Sequence, residues 1–249
     1  MPLLPLVSRD CDAWRKGFIC ERLICKDSNL DFHTQIKQEK GSTLSPSPLF
    51  FVILHSIQIN METIQTEIEG VVVVKPRVFE DERGYFFESY SKRDFDKQVR
   101  GIAFVQDNES RSSYGVLRGL HYQKWPFTQS KLVRVLKGRV LDVAVDIRKG
   151  SPTFGKHVAV ELSGDNRLQL FIPRGFAHGF AVLSEEAVFQ YKCDDFYHPE
   201  SEGGIAWDDP QLAIDWRLPE NDIILSQKDK VHPMLKDIDS PFDFNVSLY

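Results

Sequence analysis

Leu141-Asp142-Val143-Ala144-Val145-Asp146-Ile147 carries its large apolar residues on odd positions. Side chains of a strand alternate between its two faces, so this run reads as a strand with one face buried and the other bearing Asp142 and Asp146. The same kind of run recurs along the chain. Residues 84–90, 104–108 and 116–123 read as strands before it, and 157–163, 167–173, 175–184 and 186–194 supply four more after it. Lys137-Gly138-Arg139 falls between two strand patterns as a tight turn, and Lys149-Gly150-Ser151-Pro152 closes the strand that follows. Many short apolar or alternating runs with turn signals between them are the pattern of an all-β sandwich. Residues 92–99 read as a short surface helix and the tail after Ser226 as another. Residues 61–249 are expected to form a single β-sandwich domain with a few short peripheral helices.

The chain has 249 residues, 42% hydrophobic and 12% aromatic, enough to bury a sizeable core, and its 18 Phe favour sheets over a helical bundle. A formal net charge of -5 leaves no general basic footprint for nucleic acid, so an anionic ligand must be met by a local cluster of cations. Cys11, Cys20 and Cys25 lie near the start and Cys193 stands far from them. That distribution makes neither a disulfide framework nor a four-cysteine metal site, and it fits a reducing cytoplasm.

Residues 1–60 differ from the rest. They mix charges and polar groups without a sustained period, and the apolar burst at 49–54 is too short to span a bilayer. No small-residue cleavage site follows that burst, which argues against a signal peptide. The expectation is a poorly structured extension, the product of an over-long gene model, with natural translation starting at Met61.

Two of the strand-like runs each contain one histidine bounded by glycine: Arg118-Gly119-Leu120-His121-Tyr122-Gln123 and Ile172-Pro173-Arg174-Gly175-Phe176-Ala177-His178-Gly179. Imidazole titrates near neutrality, which suits a proton acceptor in a shielded pocket, although a core histidine satisfied by a hydrogen bond reads the same way. Pro173-x-Gly175-x-x-His178 is similar to the second half of the cupin signature, but His121-Tyr122-Gln123 lacks the His-x-His and glutamate of metal-binding members. One imidazole per strand falls short of a firm metal set, so no metal is expected. No serine or cysteine sits in a nucleophile-elbow setting either. Proton transfer remains: a carboxylate-oriented histidine as base, a phenol as acid and a lysine facing a developing enolate. His121, Asp229, Tyr191 and Lys131 suit those parts, while spacing alone leaves open whether they meet.

Asp81-Glu82-Arg83-Gly84-Tyr85-Phe86-Phe87-Glu88-Ser89, Phe104-Val105-Gln106-Asp107-Asn108, the two histidine motifs, Lys131-Leu132-Val133-Arg134, residues 142–148, Ser151-Pro152-Thr153-Phe154-Gly155, Ser201-Glu202-Gly203 and Leu225-Ser226-Gln227-Lys228-Asp229 resemble, in order, the dTDP-4-dehydrorhamnose 3,5-epimerase family. The resemblance runs from about Met61 to near the end. It implies a cupin-like jelly roll that works without a cofactor. It also implies inversion at C3 and C5 of dTDP-4-dehydro-6-deoxy-D-glucose, giving dTDP-4-dehydro-L-rhamnose for dTDP-L-rhamnose biosynthesis.

Carried over position by position, the resemblance implies His121 as base, Asp229 as its orienting carboxylate, Tyr191 as acid and Lys131 facing the enolate. Contacts to sugar and diphosphate fall to Arg83, Glu88, Gln106, Asn108, Arg118, His178, Glu202 and Lys228, with Tyr197 stacking on the thymine. Family members pair as homodimers and lend an N-terminal segment to the neighbouring site; a homodimer is therefore expected here. The apolar strand 71–74, hard to leave as an exposed edge, lends this modest support. Departures are Cys193 with Asp194-Asp195 between the two tyrosines, and Lys124-Trp125-Pro126-Phe127 after the base. The competing readings are a related single-carbon sugar-nucleotide epimerase or 3,4-ketoisomerase, a non-catalytic sugar-nucleotide-binding jelly roll, and a metal-dependent cupin.

Overall fold

Period-2 patterning sorts the chain into two antiparallel sheets that share one core. The computed structural model describes residues 61–249; the expectations for the first 60 residues fall outside them. The first sheet has six strands, in the order β1 (Met61–Gln65), β2 (Val72–Pro76), β10 (Gln169–Ile172), β7 (Lys131–Lys137), β12 (Glu186–Cys193) and β5 (Gln106–Ser113). The second has five: β13 (Glu202–Gly204), β6 (Leu117–Gln123), β11 (Phe176–Val182), β8 (Arg139–Asp146) and β9 (His157–Ser163). A separate ribbon pairs β3 (Val78–Asp81) with β4 (Gly84–Phe87), and α1 (Lys92–Gln98) follows it.

Val133 and Val135 of β7, Phe189 of β12, Val140 and Ala144 of β8, and Phe176, Phe180 and Val182 of β11 meet between the sheets. Burying such side chains removes roughly 25 cal/mol per Å² of apolar surface from water, the main favourable contribution to folding. Each sheet is also covered on its outer side. Phe95 of α1 packs with Val72, Val74, Leu132 and Phe171 against the first sheet. Leu212, Trp216, Leu235, Phe242 and Leu248 pack on Leu141, Val143, Val145 and Ile147 of the second.

That second cover corrects the reading of 141–147. The odd-numbered apolar residues face the C-terminal layer, and the even-numbered positions, Asp142 and Asp146 included, are buried with no exposed face. Both carboxylates find partners: Asp142 takes His178, and Asp146 takes Arg148, Ser151 and Thr153. Pattern alone marks which side of a strand is apolar, not which side is inside when both are covered. The tail after Ser226 forms only the single 3-10 turns Asp229–Val231 and Leu235–Asp237 rather than an α-helix, because it lies as an irregular layer on the sheet. The strand containing 72–74 is no edge: β2 pairs with β1 on one side and β10 on the other, so it lends no support to a dimer.

Candidate active site

Strand alternation carries the apolar rows of the shared core outward into polar positions at one end of the sandwich. Val133 and Val135 continue to Lys131 on β7, and Phe189 continues to Tyr191 on β12. Phe180 continues to His178 on β11, and Ala144 to Asp142 on β8. Beside them His121 of β6 is in register with His178. Lys131, Tyr191, His178 and His121 line a cavity of about 700 Å³ with Phe180 and Phe189 in its wall.

Two glycines allow β6 and β11 to lie this close. Gly119 has φ +132°, and a Cβ there would stand 2.5 Å from Gly179 Cα; a Cβ on Gly179 would stand 2.7 Å from the Arg118 carbonyl oxygen. The register shifts at this approach, between His178 and Phe180. Arg118 reaches the cavity from the same strand as His121, and its guanidinium donates to Ser112 Oγ at 3.1 and 3.2 Å.

His121 Nε2 lies 2.5 Å from Asp229 Oδ1. The other carboxylate oxygen accepts from Ser226 Oγ at 2.8 Å, and the Asp229 backbone N–H donates back to that hydroxyl at 3.1 Å. Burial works against the charge on Asp229, but His121, Ser226 and His232 outweigh it and hold the carboxyl below its usual range. Nε2 therefore donates its N–H to a carboxylate, leaving the second ring nitrogen as acceptor. Asp142, missed from the sequence, accepts from His178 Nε2 at 3.0 Å; burial keeps this imidazole below the ordinary range despite the carboxylate.

On the facing sheet, burial lowers the affinity of Lys131 for its proton, opposed by the charges of Asp142 and Glu202. Its ammonium stands 5.7 Å from the Tyr191 ring centroid. Burial also pushes the Tyr191 phenol up, so it carries its proton at neutral pH. Cys193, opposite Lys131 in the ladder, is pushed up to about 11 by burial, partly offset by Lys131, and stays a thiol.

At the mouth, Glu202 Oε1 accepts from Lys228 Nζ at 2.6 Å and Glu202 Oε2 from the Tyr197 hydroxyl at 3.0 Å. Asn108 completes the 700 Å³ cavity, and Gln106 lines an adjoining space of about 260 Å³ shared with His121, Lys131, Tyr191, Tyr197 and Glu202. Arg83 and Glu88 are not brought there. Arg83 lies exposed on the β3–β4 ribbon against Asp81, and Glu88 lines a small recess beside α1.

Among the described residues, the one trio of candidate metal ligands is His121, Asp229 and His232, whose ligand atoms lie within 4.8 Å of one another. The 2.5 Å between His121 Nε2 and Asp229 Oδ1 is a hydrogen-bond distance. Two atoms bound to one zinc ion at roughly 2.0–2.2 Å sit about 3 Å or more apart, so this pair is set for a proton rather than an ion.

The sequence matches the family model described as dTDP-4-dehydrorhamnose 3,5-epimerase over residues 65–237. The chain belongs to that family. It is 56% identical over 172 residues to the dTDP-4-dehydrorhamnose 3,5-epimerase of Escherichia coli strain K12, covering 68% of this chain and 92% of the relative. The crystal structure of the Legionella pneumophila dTDP-6-deoxy-D-glucose-3,5-epimerase in complex with dTDP-4-keto-L-rhamnose is 52% identical, with a TM-score of 0.72 over 75% of this chain and 100% of that one. A double mutant of a 3'-monoepimerase from Streptomyces bikiniensis, in complex with dTDP, is 31% identical, with a TM-score of 0.65 over 69% and 86% of the two chains. The cupin-like β-sandwich expected from the motifs is thus the fold of this family. The enzyme is an isomerase, an epimerase of that family. Among the described residues, no helix is long and apolar enough to cross a membrane.

Proposed function

We propose that the enzyme inverts C3 and C5 of dTDP-4-dehydro-6-deoxy-D-glucose to form dTDP-4-dehydro-L-rhamnose, the precursor of dTDP-L-rhamnose, with His121 as base and Tyr191 as acid. The observation that carries this assignment is their placement on facing sheets, His121 on β6 and Tyr191 on β12, across one cavity. Inversion requires a proton to leave one face of a carbon and another to arrive on the opposite face.

The substrate's ketone acidifies both neighbouring C–H bonds. His121 removes the proton, and Asp229 stabilises the resulting imidazolium as it stabilises the pair at rest. The electrons move onto the ketone oxygen, where Lys131 meets the negative charge; an ammonium already stripped of water gains most from that partner. Tyr191 then returns a proton to carbon from the other wall. No further cofactor enters this route.

Arg118, Lys228, Asn108, Gln106, His178 and Glu202 suit the sugar and diphosphate, and half-exposed Tyr197 offers a flat face to the base. Arg83 and Glu88 reach a site only if a second copy supplies them. The ribbon that bears Arg83 exposes Phe79, Tyr85 and Phe86, a cluster of apolar surface consistent with burial in a homodimer. Light scattering should give a dimer at micromolar concentration, and a stable monomer would refute that assembly. The cysteine distribution argues for a cytoplasmic enzyme.

The test of the reaction is incubation with dTDP-4-dehydro-6-deoxy-D-glucose in deuterated water. Deuterium should enter at C3 and C5, with the L-rhamno product. Label at one carbon would instead mark a single-carbon epimerase, which the lower identity to the monoepimerase disfavours.

A further inference from the structure

The carboxylate that holds His121 has a second imidazole on the same oxygen. His232 Nε2 lies 3.5 Å from Asp229 Oδ1, the atom that contacts His121. The rings of His121 and His232 meet edge to face with centroids 5.5 Å apart. The His232 side chain is 11% exposed, and its Nε2 has no well-formed hydrogen bond among the described residues, since 3.5 Å to Asp229 is long for one.

Room for this ring is made by a missing side chain. Gly204 of β13 pairs with His121 of β6, and a Cβ on Gly204 would overlap the His232 imidazole. The backbone is pinned beside it, with Ala206 N–H donating to the Pro233 carbonyl at 2.8 Å. Neither the core nor the mouth of the cavity accounts for a buried imidazole aimed at the base's own carboxylate.

We propose that His232 is a positioning residue for the His121–Asp229 pair: it shares Oδ1, fixes the carboxylate, and weakens its hold on His121. The proposal rests on His121 being the base. Burial is the main influence that lowers the affinity of His232 for its proton, and a protonated His121 adds to it. The titratable groups facing it are Asp229 and Lys228 from its own segment and His121 from β6; β13 contributes Gly204, which has none. A neutral imidazole that points N–H at Oδ1 draws off part of the negative charge otherwise directed at His121. His121 then gives up its captured proton more readily, and the enzyme keeps its base free at lower pH.

The test compares His232→Phe, which keeps a ring without nitrogens, with His232→Gln, which keeps an N–H donor. With His232→Phe the acid limb of the kcat/KM profile, read by deuterium exchange, should move up by about half a pH unit to one unit, the scale of one polar contact onto a carboxylate. His232→Gln should recover most of that movement. The imidazole resonances of His121, followed by NMR in the absence of substrate, should titrate in the same direction. Gly204→Ala, which displaces the ring without removing it, should give an intermediate profile. An acid limb and a His121 titration unmoved by His232→Phe overturn the proposal, whatever the melting temperature does. The base assignment fails separately, through residual exchange in His121→Asn, and the NMR titration reads the coupling even then.

Discussion

Tyr191→Phe deletes one oxygen and nothing else, which makes it the most discriminating change at this site. No described residue hydrogen-bonds the phenol; the contacts of Tyr191 run through its ring, 6.0 Å from Phe189 and 5.7 Å from the Lys131 ammonium, and phenylalanine keeps both. With no protein hydrogen bond lost, stability should change by less than about 1 kcal/mol. If the phenol is the acid, inversion should fall by about 10²- to 10⁴-fold, the usual contribution of a placed proton donor, or about 3–5 kcal/mol of barrier. Proton removal by His121 does not need the phenol, so deuterium exchange should fall far less. The enolate would then be reprotonated mostly from the face that lost its proton. Both quantities can be read by NMR on one sample in deuterated water. A ratio of inversion to exchange equal to that of the unaltered enzyme would remove Tyr191 from the chemistry.

Three further outcomes follow from the geometry. Asp229→Asn should cut exchange severely but less completely than His121→Asn, because the imidazole stays while losing its charged partner; dTDP binding by calorimetry should survive both, and its collapse would mark a purely structural pair. Asp142→Ala leaves His178 buried without its acceptor and should lower stability by about 2–3 kcal/mol in urea unfolding, the cost of losing a hydrogen bond to a buried charge; a change below about 0.5 kcal/mol would contradict the burial of that pair. Thermal stability should fall as pH drops from about 7 to about 5. Burial holds His178, His157 and His232 below the ordinary imidazole range, so near an unfolded value of about 6.5 the unfolded chain takes up more protons than the folded one. Melting curves should show that loss, and His178→Gln should shrink it; a flat or rising profile on acidification would oppose it.

Strands that are apolar on at least one face were legible in the sequence. Residues 157–163 coincide with β9, and 116–123 and 186–194 match β6 and β12 to within a residue at either end. β5 was legible only at its start, because Gln106–Ser113 is polar throughout and lies at the edge of its sheet, where few side chains need burial. β13 is three residues with two glycines, too short to hold a period. Cavity residues were reached through motif order, which carries information that spacing lacks: Asp229 lies 108 positions from His121 yet shares a hydrogen bond with it. The burial of Asp142 is not legible because a carboxylate in a strand usually faces water, and the C-terminal layer that covers the odd-numbered face, leaving the even-numbered one to the inter-sheet core, has no periodic signature. His232 offered no signal, since it follows the last recognisable motif in an irregular segment.

The base and acid belong to different sheets, so their separation is set by how thick the apolar layer between those sheets is. Val133, Val135, Ala144, Val182 and Phe189 therefore act as a spacer as well as a core. A smaller residue at Val135 lets the walls settle closer, and a larger one at Ala144 props them apart; either detunes proton delivery without lining the cavity. The enzyme's stereochemical fidelity is in this sense a mechanical property. Under mild denaturant or pressure it should falter before the fold does, with exchange outlasting inversion as the gap loses its setting.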